Sequence, residues 1–226
     1  DSSGIDMFDA YRKIMELLEV LKGIINFLLI EGKTSYSFPF WNTYNGFEIG
    51  TLICGISQKG EHNFFELRRL SLGIRARSPL LNFPEKHKIP LNTYLSKFKR
   101  RPKENSIKDL IVYGFRLYYA AVSSMEMFSS YLVYWQLCEA IVLAEKFGGK
   151  TDAITKRIKH EIPKMKLIGN SMEFTLNKLS KIRNDIVHRG VEAASQEHIN
   201  ILKFISEYKL NWLIDIEEEL ENIDQL

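Results

Sequence analysis

The chain has 226 residues, 45% of them hydrophobic and 26% charged, with a formal net charge of +3. That balance suits one large globular domain or two small ones and excludes a disordered or fibrous chain. Cys54 and Cys138 stand far apart with no Cys-x-x-Cys or Cys/His cluster, so neither a disulfide framework nor a zinc site is suggested, and the two read as buried free thiols in a reducing compartment.

The chain begins Asp1-Ser2-Ser3-Gly4, with no basic-then-apolar leader pattern, so a cytoplasmic location is expected and the chain reads as a trimmed or partial one. Residues 8–30 place Tyr11, Ile14, Leu18, Leu21, Ile25 and Leu28 at three- and four-residue steps, which predicts a long amphipathic helix ending near Gly32. Its most apolar run, 17–30, is interrupted by Glu19, Lys22 and Asn26 and is shorter than the roughly 20 apolar residues a membrane span needs, so no membrane association is expected. Residues 34–46 mix Ser, Asn, Gly and Pro39 with Phe38, Phe40, Trp41 and Tyr44. They read as an ordered loop whose aromatics plug a core rather than stack on bases. Strands are expected within 47–57 and 63–74.

Residues 64–103 hold eleven Lys/Arg against two acids. Such a local excess either favours a polyanion partner or forms a solvated face. Arg68, Arg69, Lys97, Lys99, Arg100 and Arg101 are the candidate nucleic-acid-binding residues. Pro79, Pro84, Pro90 and Pro102 are expected to break the chain repeatedly, and a domain border is placed near residue 104. The expected organisation is an accessory α+β region, 1–104, followed by a helical domain, 105–226.

Beyond the border the pattern is wholly helical, so the fold class is mainly α. Ser106 is expected to cap a helix over 107–122. A second helix over 125–147 carries Phe128, Leu132, Trp135, Cys138 and Val142 on its stripe and ends at Gly148-Gly149. Thr151 can cap a shorter helix that stops before Pro163, and a fourth begins at Ser171 or Met172 and ends at Gly190. Ser195 opens the last, which is expected to bury Ile199, Leu202, Ile205 and Trp212. Five helices with short connections favour an antiparallel bundle, and the acidic end, 215–224, reads as a solvated helix face.

The fourth helix reads Leu179-Ser180-Lys181-Ile182-Arg183-Asn184-Asp185-Ile186-Val187-His188-Arg189-Gly190. Asn184 and His188 are four apart and lie within about 40° of rotation on a helix, whereas Arg183 lies about 140° from His188. Its long side chain must therefore curl, or serve another molecule at a helix contact. Cleaving RNA without a metal requires a base for the 2′-hydroxyl proton, an acid for the leaving 5′-oxygen and a cation for the charged phosphorane. Imidazole can take either proton role near neutral pH, and a guanidinium fork matches phosphate oxygens. In the last turn before Gly190, exposed carbonyls bias His188 toward the acid role. The same residues also suit ordinary helix termination, basic residues followed by Gly.

The run Arg183-Asn184-Asp185-Ile186-Val187-His188-Arg189-Gly190, preceded by Tyr134-Trp135-Gln136-Leu137-Cys138-Glu139-Ala140, resembles the HEPN superfamily, in particular its Apea-like branch, over residues 105–226. The resemblance implies a five-helix bundle that dimerises and acts as a metal-independent endoribonuclease in antiphage defence, toxin–antitoxin or RNA-processing systems. It assigns His188 to proton transfer, Arg183 to phosphate stabilisation and Asn184 to positioning, with Glu139 and Arg189 supporting; a structural ion pair is the plainer expectation for Glu139. No cofactor or metal is expected. The implied partners are RNA, a second copy of the chain, which would supply a second histidine, and an antitoxin or regulatory protein. The competing function is a noncatalytic dimerisation or binding module for a protein or nucleic acid.

Overall fold

The computed structural model describes residues 7–30, 52–56, 62–67, 85–98, 102–124, 126–143, 156–158, 169–190 and 194–220. Its elements are α1 (Met7–Ile30), β1 (Leu52–Ile56), β2 (His62–Leu67), α2 (Glu85–Lys97), α3 (Ile107–Ser123), α4 (Met127–Ile141), α5 (Gly169–Arg189) and α6 (Gln196–Ile216). The chain is mainly α. Of the described strands, β1 falls within the expected stretch 47–57 and β2 starts one residue before the expected 63–74; they pair antiparallel, Leu52 opposite Leu67 and Ile56 opposite His62, with a register shift at Gly55/Ile56. The loop with Phe38, Phe40, Trp41 and Tyr44 lies outside the described residues.

The centre of the bundle is α3. Ser106 Oγ accepts from the Asp109 backbone N–H at 3.2 Å, the expected cap, and Asn105 before it takes φ 61°, a conformation Asn tolerates better than most residues. Ile107, Ile111, Phe115 and Tyr118 follow at helical spacing and are completely buried. The Phe115 ring meets Phe27 edge-on at 5.5 Å and Phe98 at 5.9 Å, while Tyr118 meets Phe27 at 5.4 Å and Tyr134 at 6.0 Å. These edge-to-face contacts join residues of α1, α3 and α4 with Phe98, just after α2, and one hydrophobic core therefore runs across the border expected near residue 104.

Among the described side chains of α1, those of its later part enter that core. Val20, Ile24, Ile25, Phe27 and Leu28 are buried, whereas Ile14 is 39% and Leu17 57% exposed, so the expected stripe through Ile14 is not the packed one at that end. The two helices α1 and α3 approach closely at Gly23, where a Cβ would stand 2.1 Å from the Phe115 carbonyl oxygen. Because that neighbour is backbone, a methyl group there forces the helices apart. Gly23→Ala is expected to destabilise by about 1–3 kcal/mol despite the better helix propensity of Ala. Gly114→Ala meets only the flexible end of Leu210 at 2.6 Å and should cost less. Chemical denaturation of the two variants checks the order.

The prolines do not all break the chain, because α2 runs through Pro90. Pro90 has no N–H for the carbonyl four residues back, a loss of about 3 kcal/mol in an isolated helix. The packing of Leu91, Tyr94 and Phe98 against the core offsets it. At the far end, α4 stops at Ile141 rather than 147: Leu143 adopts φ 55° and its N–H turns back to the Ala140 carbonyl at 3.0 Å. The buried face of α4 is broader than one stripe and includes Tyr131, Tyr134, Trp135, Leu137, Cys138 and Ile141. Burial pushes the Cys138 thiol up to about 12, outweighing its contact with Ser206 Oγ at 3.3 Å, so it stays an inert thiol. The side chain of Cys54 lies outside the described residues.

Of the short helix expected after Thr151, residues 156–158 are described and are helical, with Ile158 buried. On α5, Leu176, Leu179, Ile182 and Ile186 turn inward, and the Tyr131 hydroxyl donates to the Leu179 carbonyl at 2.5 Å, tying α5 to α4. Ser195 precedes α6, on which Ile199, Leu202 and Ile205 are buried as expected. Trp212 is not: it is 38% exposed and holds the Lys209 ammonium 3.6 Å over its ring. The acidic end is not wholly solvated either. The Glu217 side chain is 6% exposed and receives Lys108 at 2.9 Å and Lys97 at 3.5 Å. Among the described residues no helix is long and apolar enough to cross a membrane.

Candidate functional site

The Arg183-Asn184-His188 cluster occupies the last two turns of α5, which begins at Gly169, two residues before the expected start, and ends where expected. Ile182 and Ile186 fix the inner face of these turns. Gly190 takes φ +64°, and its N–H reaches the Ile186 carbonyl at 3.1 Å. This is the left-handed termination for which Gly is favoured.

From that anchoring the exposures follow. Counting about 100° per residue, Arg183 starts on the flank between Ile182 and the buried Ser180, Asn184 stands further round, and His188 points away from the core. Arg183, Asn184 and Asp185 are half-buried, while His188 and Arg189 are exposed. Arg183 does curl: its Nη1 donates to the Asn184 side-chain oxygen at 3.2 Å, which carries the guanidinium toward the side of the helix that Asn184 shares with His188. His188 makes no hydrogen bond to any described residue, so its ring is open to a ligand. Its nearest partner by spacing, Asn184, is committed to Arg183 through its oxygen and keeps its amide protons for other acceptors.

The supporting residues turn out differently. Trp135 Nε1 donates to Glu139 Oε1 at 2.6 Å, so Glu139 is held by the neutral indole four residues back, and among the described residues no cation forms the ion pair expected for it. Arg189 Nη1 reaches Asp185 Oδ1 at 3.3 Å with its side chain 71% exposed, a solvent-screened pair of small net value.

Of the six basic residues proposed for nucleic-acid contact, Arg68, Arg69, Lys99, Arg100 and Arg101 lie outside the described residues. Lys97 lies inside and is engaged by the chain's own acids, 3.0 Å from Glu218 and 3.5 Å from Glu217. Burial works against its charge, but hydrogen bonds and the negative charge of Glu218 and Glu217 outweigh it and hold the ammonium above the ordinary lysine value. An ammonium shared by two carboxylates is poorly placed to bind phosphate. Among the described residues no group of three or more His, Cys, Asp or Glu is arranged to hold a metal ion.

His198 has a role the sequence pattern does not announce. Its Nδ1 accepts from the Ser195 backbone N–H at 3.1 Å and lies 2.9 Å from Ser195 Oγ, so an imidazole does the work usually given to Glu or Gln three residues into a helix. Burial, helped by the Lys178 charge and opposed by Glu197, lowers its pKa from the ordinary histidine value. The unfolded chain therefore takes up the proton first, and stability contributed by the neutral ring is lost as pH falls below about 6.5. Thermal melts between neutral and mildly acid pH should show this loss, and His198→Gln, which keeps an acceptor but cannot titrate, should flatten it.

Searches against models of known protein families, against curated proteins and against solved structures found no match to this chain.

Proposed function

We propose that this protein is a metal-independent endoribonuclease of the HEPN type, with residues 105–226 as its five-helix nuclease domain and residues 1–104 as an accessory region, acting as an antiphage defence or toxin effector. The observation that carries this reading is the end of α5, where an exposed imidazole, a guanidinium and a carboxamide share two helical turns and Arg183 leans onto Asn184. His188 transfers the proton, Arg183 balances the charge that grows on the phosphorane, and Asn184 holds a phosphate oxygen or positions the guanidinium. Attack by the 2′-hydroxyl on the adjacent phosphorus breaks the bond to the 5′-oxygen and leaves a cyclic phosphate. The hydroxyl proton goes to a base, and the leaving oxygen takes one from an acid.

A single imidazole cannot serve as base and acid in one step, so the reading includes a homodimer in which two α5 ends face each other across RNA. A half-exposed valine, Val187 at 49%, beside His188 suits such a contact. It equally suits the second reading, a noncatalytic module that binds a partner protein or nucleic acid through this face. Cleavage of a mixed RNA in the presence of EDTA, by wild type and by His188→Ala, with each protein sized in solution, separates the two. Activity that survives EDTA in the wild type and is lost in the variant supports the nuclease, whereas an inert wild type of unchanged fold favours the module.

A further inference from the structure

Away from the α5 motif, a groove of about 340 Å³ opens along α3 and is lined by Tyr113, Arg116, Tyr119, Ser123 and Ser124 together with Glu19 of α1. Its size lies in the range of small-ligand sites. Behind it stands Lys22. This residue is only 4% exposed, yet its ammonium donates to the Tyr119 hydroxyl at 2.8 Å and lies 4.5 Å from the centre of the same ring. Among the described residues no carboxylate pairs with it. A buried ammonium satisfied only by a neutral phenol is costly, and an added negative charge nearby relieves that cost.

The groove offers the means to hold one. Tyr119 accepts from Lys22, so its own O–H proton is left to donate elsewhere, and the half-exposed Tyr113 hydroxyl likewise accepts from Gln136 Nε2 at 3.4 Å. Arg116 gives Nε to Glu19 Oε2 at 3.0 Å, both side chains being more than a third exposed, which leaves the two Nη groups of its fork. Ser123 and Ser124 donate to the carbonyls of Tyr119 and Ala120 and so turn lone pairs, not protons, toward a ligand. Glu19, Arg116 and Lys22 together leave one positive charge. Tyr113, 42% exposed, supplies a flat face at the rim.

We infer that this groove binds a small phosphate monoester carrying a flat ring, its phosphate on Arg116 and Tyr119 under the charge of Lys22 and its ring against Tyr113. Phenyl phosphate is a direct probe, followed by calorimetry and by the melting temperature. It should bind wild type saturably and raise its melting temperature, since a ligand held only by the folded state stabilises that state. Arg116→Gln should weaken binding about tenfold to a hundredfold, and Glu19→Gln, which releases Arg116 and adds positive charge, should tighten it. Lys22→Met should melt above wild type without the probe and respond to it less. Absence of saturable binding to wild type, equal binding of benzoate, or weakening by Glu19→Gln would each overturn the inference.

Discussion

His188→Ala is expected to slow RNA cleavage by about 10²- to 10⁴-fold, the usual contribution of a positioned proton-transfer group. The same substitution should leave stability within about 0.5 kcal/mol of wild type, because the ring is exposed and contacts no described residue through a hydrogen bond. This separation gives the experiment its force, since a loss of activity without a shift in melting temperature cannot come from unfolding. Arg183→Ala should also slow cleavage strongly, but with a larger structural effect, because Arg183 is half-buried and bonded to Asn184. Arg183→Lys keeps the charge and loses the planar fork, so it should rescue stability more than activity. If His188→Ala cleaves RNA like wild type in EDTA, the assignment of proton transfer to His188 is wrong.

The largest expected effect on stability lies elsewhere in the bundle. On α6, Lys203 and Glu207 form an ion pair one helical turn apart, 6% and 4% exposed, and the Tyr118 hydroxyl of α3 donates to Glu207 Oε1 at 2.5 Å. Burial, with the Glu207 charge close by, raises the neighbouring Tyr134 phenol well above its ordinary value, so it stays neutral. Glu207→Ala removes the carboxylate that Lys203 and Tyr118 both face and should cost about 3–5 kcal/mol in chemical denaturation. Replacing both charged residues by Met should recover most of that loss, because the pair itself repays little beyond its own desolvation. A double variant as unstable as Glu207→Ala alone would show instead that the ion pair contributes strongly in its own right.

The local features of this protein were legible in its sequence. Apolar spacing announced α3 and most of α6, Ser106 marked a helix start, and Gly190 marked the end of α5, since caps and left-handed terminations depend on a few adjacent residues. The Arg183-Asn184-His188 cluster was legible for the same reason: its members are neighbours on one helix. Tertiary contacts decided the rest. Pro90 sits inside a helix because Leu91, Tyr94 and Phe98 pack against the core, and Ile14 and Trp212 stay exposed because no described element covers them, although their spacing is that of core residues.

Charged residues were the hardest to place from sequence. Composition counts Lys97 with a basic segment and Glu217 with an acidic tail, but folding brings these two together from segments far apart in sequence and so removes both from the free surface charge. Lys22 and Tyr119 likewise meet only because α1 crosses α3 closely at Gly23. Sequence by itself determined most of the helices, α2 excepted, and which residues share a helix face, since these follow from steps of three and four along one chain. Which face is buried, which charge is neutralised and where a groove opens were decided by the packing of segments distant in sequence, where each contact depends on the shape and charge of both partners.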